Sequence, residues 1–430
     1  MPTALKTDVA IIGAGAAGLA AARRLEERGV DLLVLEARER IGGRAYTLQS
    51  FDRCFPVELG AEFIHGRPAS TLALMQECGE SRMDIGSQHF QLRENDFEQT
   101  WNVWEQAERI LRRIDVNGRD VSIEAFLDSI PSSELPAEQR DAVRSLVEGF
   151  DAAITSDASA IGIAKEWRSG TNDVSFRPIN GYAPIVHHLA RFVSPRILLR
   201  TRVDEVRWSP QGVHIRATRS GMPVEIEACR AIVTLPIGVL QSQRGMFVPT
   251  LPAEKQASID AIAMGPVIKV VLEFRTPFWE SVQNGRYHDA AFFYGWHCPI
   301  RALWTRLPQR TPLLVAWAGG GAAQRLSDQG VDPIQAALET CQTLFPSIDV
   351  RGELRNAYYH DWQADPFACG AYSFLRVGGG DARARLAMPV EGTLFFAGEA
   401  TWGDDAGTVA GALESGYRAA GGVLSLSTRS

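Results

Sequence analysis

The opening of the chain leaves it little freedom of fold. Asp8 to Ile12 (DVAII) is a short apolar run, Gly13-Ala-Gly15-Ala-Ala-Gly18 follows at once, and a helix-like stretch covers Leu19 to Arg28. A second apolar run, Leu32 to Leu35, ends in Glu36. Strand, glycine turn, helix, strand and acid, in that order, are the layout of a dinucleotide-binding βαβ unit. Gly13 permits the tight turn, Gly15 lets backbone approach a pyrophosphate, and Gly18 lets helix pack on strand. Around Ala17 the start of the helix turns free N–H groups and a positive dipole toward the phosphates. Glu36, followed by Ala37 and Arg38, stands where a carboxylate accepts hydrogen bonds from both hydroxyls of an adenosine ribose.

At 430 residues the chain is expected to hold two or three domains. A net charge of -7 argues against a nucleic-acid surface and mildly suits cationic small molecules. The six cysteines, Cys54, Cys78, Cys229, Cys298, Cys341 and Cys369, form no CxxC pair. They read as scattered thiols of a reducing compartment, with neither a disulfide framework nor a metal site. The first strand begins almost at the first residue, and no apolar run is long enough to span a bilayer. A soluble cytoplasmic protein is expected, with no membrane partner. Homodimerisation stays open.

Along the chain, Glu39 to Arg44 carries Gly42-Gly43-Arg44, and Val57 to Gly66 carries Gly60-Ala61-Glu62-Phe63-Ile64-His65. From about Leu72 to Ile163 the pattern reads as helical, with clear examples at Thr100 to Ile114 and Ala137 to Phe150. Trp101 and Trp104, three apart, share a helix face, and packing on the sheet domain is preferred to substrate contact. Strands are expected at 197–201, 203–208, 212–218, 224–228 and 231–235. A helix is expected from Leu251-Pro252 to about Gly265. Further strands follow at 267–274, 290–294, 301–305, 313–318 and 393–397, with helices at 333–345 and 408–420. The fold class is α/β: a Rossmann-like dinucleotide domain (1–75, 195–245 and 385–430) with an interleaved mixed α+β domain (76–194 and 246–384).

These segments resemble the flavin-containing amine oxidases, which include monoamine oxidases, polyamine oxidases and lysine-specific histone demethylases. The resemblance follows the chain through Gly13 to Arg44, Glu58 to Gly66, Ala231 to Leu240 (AIVTLPIGVL) and Phe247 to Phe274. It resumes at Trp362 to Phe374 (WQADPFACGAYSF) and Phe395 to Ala420 (FAGEATWGDDAGTVAGALESGYRAA). It implies FAD, held by the glycine turn, by Gly42, Gly43 and Arg44, and by Gly60, Ala61 and Glu62. Val203 then stands at the adenine, and Gly398 and Glu399 near the ribityl and pyrophosphate groups. The helix opening at Thr408 and Val409, with Ala412, faces the flavin. Ala371 stands where monoamine oxidases carry a flavin-bonded cysteine, so the FAD is expected to be noncovalent.

The resemblance also implies the working residues. Lys269, inside the apolar strand VIKVVLEF, is costly to bury unless paired or kept neutral. The family role is to hold a water beside the flavin; the alternative is a strand edge with the ammonium in solvent. Tyr372 forms one wall of an aromatic cage, and Thr408 takes the place of the second wall. His65 either meets the substrate nitrogen or is structural. Glu62 either attracts a cationic amine or satisfies a loop. Trp362 either lines the substrate tunnel or packs in the core. The expected reaction is oxidation of a primary or secondary amine, polyamine-like, to an imine, with O2 reduced to H2O2. The alternatives are an L-amino-acid oxidase needing an arginine clamp, with Arg67 at hand, a demethylase-like protein binder, and a non-catalytic flavin protein.

Overall fold

The computed structural model describes residues 4–49, 55–93, 96–99, 103–168 and 174–427. Leu5–Ile12 lies inside an eight-stranded sheet, parallel to Leu32–Leu35 on one side and to Met222–Val233 on the other. Ile197–Leu198 continues the sheet beyond Leu32–Leu35, and Leu394–Phe396 joins in parallel beside Met222–Val233. Both ends of the chain and its middle therefore share one sheet. Val9 and Ile11 face one buried cluster, Ala10 and Ile12 the other. Burial on both faces is why the strand reads as an unbroken apolar run.

Helices Ala16–Glu26 and Val409–Ser427 pack together on one face of this sheet. They meet at backbone contact: a Cβ on Gly416 would lie 2.2 Å from the Ala17 carbonyl oxygen. The first and last expected elements thus form one layer.

The other large sheet has seven strands, in the order Leu354–Tyr359, Val267–Phe274, Leu313–Gly319, Ala302–Trp304, Ala290–Tyr294, Gln88–Arg93 and Asp96–Gln99. Two of these correct the expectation of continuous helix from Leu72 to Ile163. Phe90 and Leu92 alternate at strand period and pack into the core of this sheet, and Gln88–Arg93 pairs in parallel with Ala290–Tyr294. A short strand, Arg82–Asp84, interrupts the helices as well. The helix expected to reach Gly265 stops at Asp260, and Ile262–Gly265 pairs antiparallel with Tyr372–Leu375. That pairing fixes Tyr372 opposite Gly265. The strands expected at 224–228 and 231–235 are one continuous strand, Met222–Val233. No described helix is long and apolar enough to cross a membrane.

Candidate active site

A cavity of about 790 Å³ draws its walls from both sheets. That lies in the upper part of the range of roughly 300–1,000 Å³ usual for ligand and cofactor sites. On the side of the eight-stranded sheet it is lined by Gly13, Gly15, Ala17, Glu36, Ala37, Arg38, Gly42, Gly43, Arg44 and Val203. Gly60, Ala61, Glu62, His65, Lys269, Trp362, Tyr372, Gly398, Glu399, Thr408, Val409 and Ala412 line it too. Gly18 stands apart from this lining. A Cβ there would sit 1.9 Å from the Gly13 carbonyl oxygen, so Gly18 shapes the turn and does not face the cavity.

The glycine turn is tight because Gly13 has a φ of +107° and its Cβ position falls 2.5 Å from Thr234 Oγ1. The following helix starts at Ala16, three residues earlier than expected, with no side-chain cap. Its first N–H groups are left for a ligand. The Gly42-Gly43 loop lies against this turn: Gly42 N–H donates to the Ala14 carbonyl at 2.8 Å, and a Cβ on Gly43 would stand 3.2 Å from the Gly15 Cα. Glu36 braces the same turn, accepting from Ala14 N–H at 2.8 Å and Arg38 N–H at 2.9 Å. Burial pushes its carboxyl above the ordinary value. Each oxygen keeps a further lone pair.

Arg44 is not a free guanidinium. It donates to Glu399 Oε1 at 2.8 Å and to the Ala371 carbonyl at 2.7 Å. Glu399 Oε2 accepts in turn from the Ser373 hydroxyl at 2.6 Å and Gly407 N–H at 3.1 Å. Burial opposes ionisation of Glu399, but Arg44 and Arg383 outweigh it and hold the carboxyl below its ordinary value. This network ties the GGR loop, the strand Tyr372–Leu375 and the FAGE segment together. Arg38 is held similarly, donating to Asp365 Oδ2 at 2.6 Å, which also meets His360 Nε2 at 2.8 Å.

Lys269 is buried on a strand that has a neighbour on both sides, so the edge-strand alternative is excluded. Its Nζ donates to Glu62 Oε2 at 2.9 Å and to the Gly60 carbonyl at 3.0 Å. Glu62 also accepts from Arg177 Nε at 2.8 Å and from Trp304 Nε1 at 3.2 Å. Burial works against its charge, yet Lys269, Arg177 and Arg306 bring the Glu62 carboxyl down to about 2. Its oxygens are thus engaged by protein cations, and the reading in which Glu62 attracts a substrate amine is corrected. Neither Arg177 nor Trp304 was legible in the sequence. Each is far from Glu62 along the chain, in a segment without a motif.

Tyr372 donates its hydroxyl to the Phe150 carbonyl at 2.7 Å, and its ring packs on Gly407. Trp362 is buried and donates to the Leu59 carbonyl at 2.9 Å, so it is at once a core residue and part of the cavity wall. His65 is half-buried, with Nδ1 3.0 Å from Ser175 Oγ and its ring edge-on to Phe150. Burial holds it at about 4, so it is neutral at pH 7. Its polar partner in the described structure is a serine hydroxyl.

Thr408 caps the last helix. Its Oγ1 accepts from Gly411 N–H at 3.0 Å and donates to the Asp405 carbonyl at 2.7 Å. The helix begins one residue later than expected, at Val409. Trp104 stacks on Trp167 at 5.6 Å, meets Phe150 edge-on and lines the cavity, which corrects its placement on the sheet domain. Trp101 and Cys54 lie outside the described residues. The cavity also exposes Asp151, Glu166, Tyr294 and Trp296, none of which the sequence singled out.

Comparison with known proteins agrees with this geometry. A family model described as flavin containing amine oxidoreductase matches residues 16–424. Polyamine oxidase 4 of Oryza sativa subsp. japonica is 30% identical over 448 residues, covering 96% of this chain and 88% of its own. Lysine-specific histone demethylase 2 of Homo sapiens is 29% identical, and the match covers 96% of this chain but 53% of that protein. Among solved structures, wild-type putrescine oxidase bound to putrescine superposes with a TM-score of 0.81 at 21% identity, over 98% of this chain and 100% of that one, which is a likeness of fold. The chain belongs to the flavin-containing amine oxidoreductases: it is an FAD-dependent enzyme of amine oxidation.

Proposed function

We propose that the enzyme oxidises a C–N bond of a diamine or polyamine, with noncovalently held FAD, O2 as acceptor and H2O2 as the reduced product. The observation that carries this reading is the make-up of the cavity wall. The aromatic residues Trp104, Phe150, Tyr294 and Trp296 line it together with the acids Glu148, Asp151 and Glu166. Aromatic faces and carboxylates together suit a cation. An amino acid needs a guanidinium clamp instead. Arg67 is exposed and outside the cavity lining, Arg177 is taken by Glu62, and Arg301 by Glu148 and Ser145.

The site fits FAD at the glycine cradle, where a Cβ on Gly43 would stand 3.2 Å from the Gly15 Cα, and at Glu36. Bound there, FAD supplies the acceptor for a hydride equivalent from the amine α-carbon and passes the electrons to O2. The protein's part is placement and charge. Residues 1–75, 195–245 and 385–430 hold the cofactor, and 76–194 and 246–384 hold the amine. Tyr372 and Trp362 wall the reacting end, and neutral His65 offers a nitrogen to the substrate amine. Lys269, fixed by Glu62 and Gly60, orders a water beside the ring. The uncapped helix start at Ala16 takes the pyrophosphate, and the Thr408-capped helix turns its positive end to the ring. Cys369 lies outside the cavity lining, which supports noncovalent attachment. The described cysteines are free thiols, which supports a cytoplasmic setting. The test is peroxide release from a panel of polyamines, monoamines and L-amino acids. The reading requires polyamines or diamines to be the best substrates and is overturned if only amino acids turn over.

A further inference from the structure

Arg383 stands on the short helix Ala382–Ala387, 5% exposed and outside the cavity lining. Its guanidinium grips one residue twice. Nη1 donates to the Ser373 hydroxyl at 2.6 Å and Nη2 to the Ser373 carbonyl at 3.0 Å. Nη2 also reaches Glu166 Oε1 at 3.4 Å. Nε, buried as well, has no hydrogen-bond partner among the described residues. Burying the charge and leaving that donor unmet both cost free energy, so an arginine here is a poor device for stability alone. What it supplies is geometry.

A guanidinium only donates, so the Ser373 oxygen must accept from Arg383 and send its own proton elsewhere. That proton goes to Glu399 Oε2 at 2.6 Å. The same carboxylate oxygen takes the Gly407 amide at 3.1 Å. Gly407 in turn packs on the Tyr372 ring, where a Cβ would stand 3.2 Å from Tyr372 Cδ2. Tyr372 is thus reached from Arg383 by two routes. One is the backbone, since Tyr372 directly precedes Ser373, and the other runs through Glu399 and Gly407. Without Arg383 the Ser373 hydroxyl is free to turn, and Glu166 and Glu399, whose charges oppose each other, lose a shared cation.

We propose that Arg383 is a positioning residue for the oxidation step, acting through Ser373 and Glu399 to hold the Tyr372 ring and the Gly407 turn in one place on the cavity wall. The inference rests on the amine-oxidase reading above and deepens it. In that reading Tyr372 walls the reacting end. A wall that shifts leaves the bound amine out of line in part of the population. Misalignment of a bound substrate slows its reaction more than it weakens its binding.

The test measures turnover per bound flavin with 1,4-diaminobutane, or with the best amine of the panel above. Arg383→Met should lower kcat on the order of 10- to 100-fold, with KM changed less than about threefold. Arg383→Lys keeps a charged donor for Ser373 and should regain most of the loss. Ser373→Ala should lose as much as Arg383→Met, and the double variant no more than either, because each removes the same link. Losses that multiply in the double variant, or a wild-type kcat in Arg383→Met, overturn the proposal. A second readout needs no turnover. In protein labelled with 3-fluorotyrosine, the Tyr372 fluorine resonance is assigned by its absence in Tyr372→Phe. It should be one narrow line in wild type and in Arg383→Lys, and broadened or split in Arg383→Met; an unchanged line overturns the proposal. Should Arg383→Met fail to fold, Ser373→Ala is judged by the same two readouts. Wild type that oxidises amines, with neither readout moved in the variants, removes this inference alone. Wild type that oxidises no amine removes the functional reading and this inference with it.

Discussion

The Lys269 ammonium and the Glu62 carboxylate form a buried ion pair at 2.9 Å, and a second cation, Arg177, holds the other Glu62 oxygen at 2.8 Å. Removing the acid leaves two buried cations facing each other, whereas removing the lysine leaves Glu62 still paired. Glu62→Gln should therefore cost about 3–5 kcal/mol of stability and Lys269→Met clearly less. Urea denaturation of both variants checks the order. A Lys269→Met protein less stable than Glu62→Gln would contradict it.

The two glycines that flank the first helical turn should fail in different ways. A methyl group on Gly18 meets the Gly13 carbonyl at 1.9 Å, whereas one on Gly15 meets only the Gly43 Cα at 3.9 Å and projects into the cradle. Gly18→Ala should lose about 1–3 kcal/mol of stability through overpacking. Gly15→Ala should fold with normal stability when FAD-free and fail to retain flavin. Unfolding curves of the FAD-free proteins, set beside the flavin absorbance of the same samples after gel filtration, separate the two effects.

Glu399 fixes Arg44 and the Gly407 amide at once. Glu399→Gln keeps the shape and removes the charge that holds the guanidinium. A hydrogen bond to a charged group is worth about 1.5–3 kcal/mol. FAD affinity should accordingly drop about tenfold or more, measured by fluorescence on titrating FAD into the apoprotein. Unchanged affinity would show that the network serves folding alone.

His65 predicts a pH dependence of stability. Its folded value of about 4 lies below the ordinary 6.5. Between these values the unfolded chain binds more protons, so stability falls as pH drops from 6.5 toward 4 and levels off below that. His65→Gln should flatten this part of the curve, as read from melting temperatures between pH 7 and 4.5. Parallel curves for variant and wild type would refute the assignment.

The ends of the chain were the most legible part of the fold. An unbroken apolar strand, a glycine turn and an apolar helix are local signals, and Leu5–Ile12 and Ala16–Glu26 express them directly. Gln88–Arg93 was not legible, because its alternation covers only Phe90 and Leu92, too short a run to establish a strand period. The same division runs through the site. Lys269 stood out because a charge in an apolar strand demands a partner, but the partner came from a loop 207 residues earlier, and Arg177 and Trp304 carry no local mark of their role. Asp151 ends an ordinary amphipathic helix, and nothing local to the sequence marks it as a residue of the cavity wall. Thr408 shows the reverse: the resemblance put it where a second cage wall would stand and so left the cage incomplete, while the spacing of Thr408 and Gly411 was that of a helix cap.

The central claim is that this cavity brings an amine to a resident FAD. The most direct test is anaerobic mixing of the purified yellow enzyme with 1,4-diaminobutane, followed at the flavin absorbance band. The account predicts bleaching of the band within the time of mixing or shortly after, with recovery and stoichiometric peroxide on admitting air. A flavin band that stays oxidised with this diamine, with longer polyamines and with monoamines alike would contradict it.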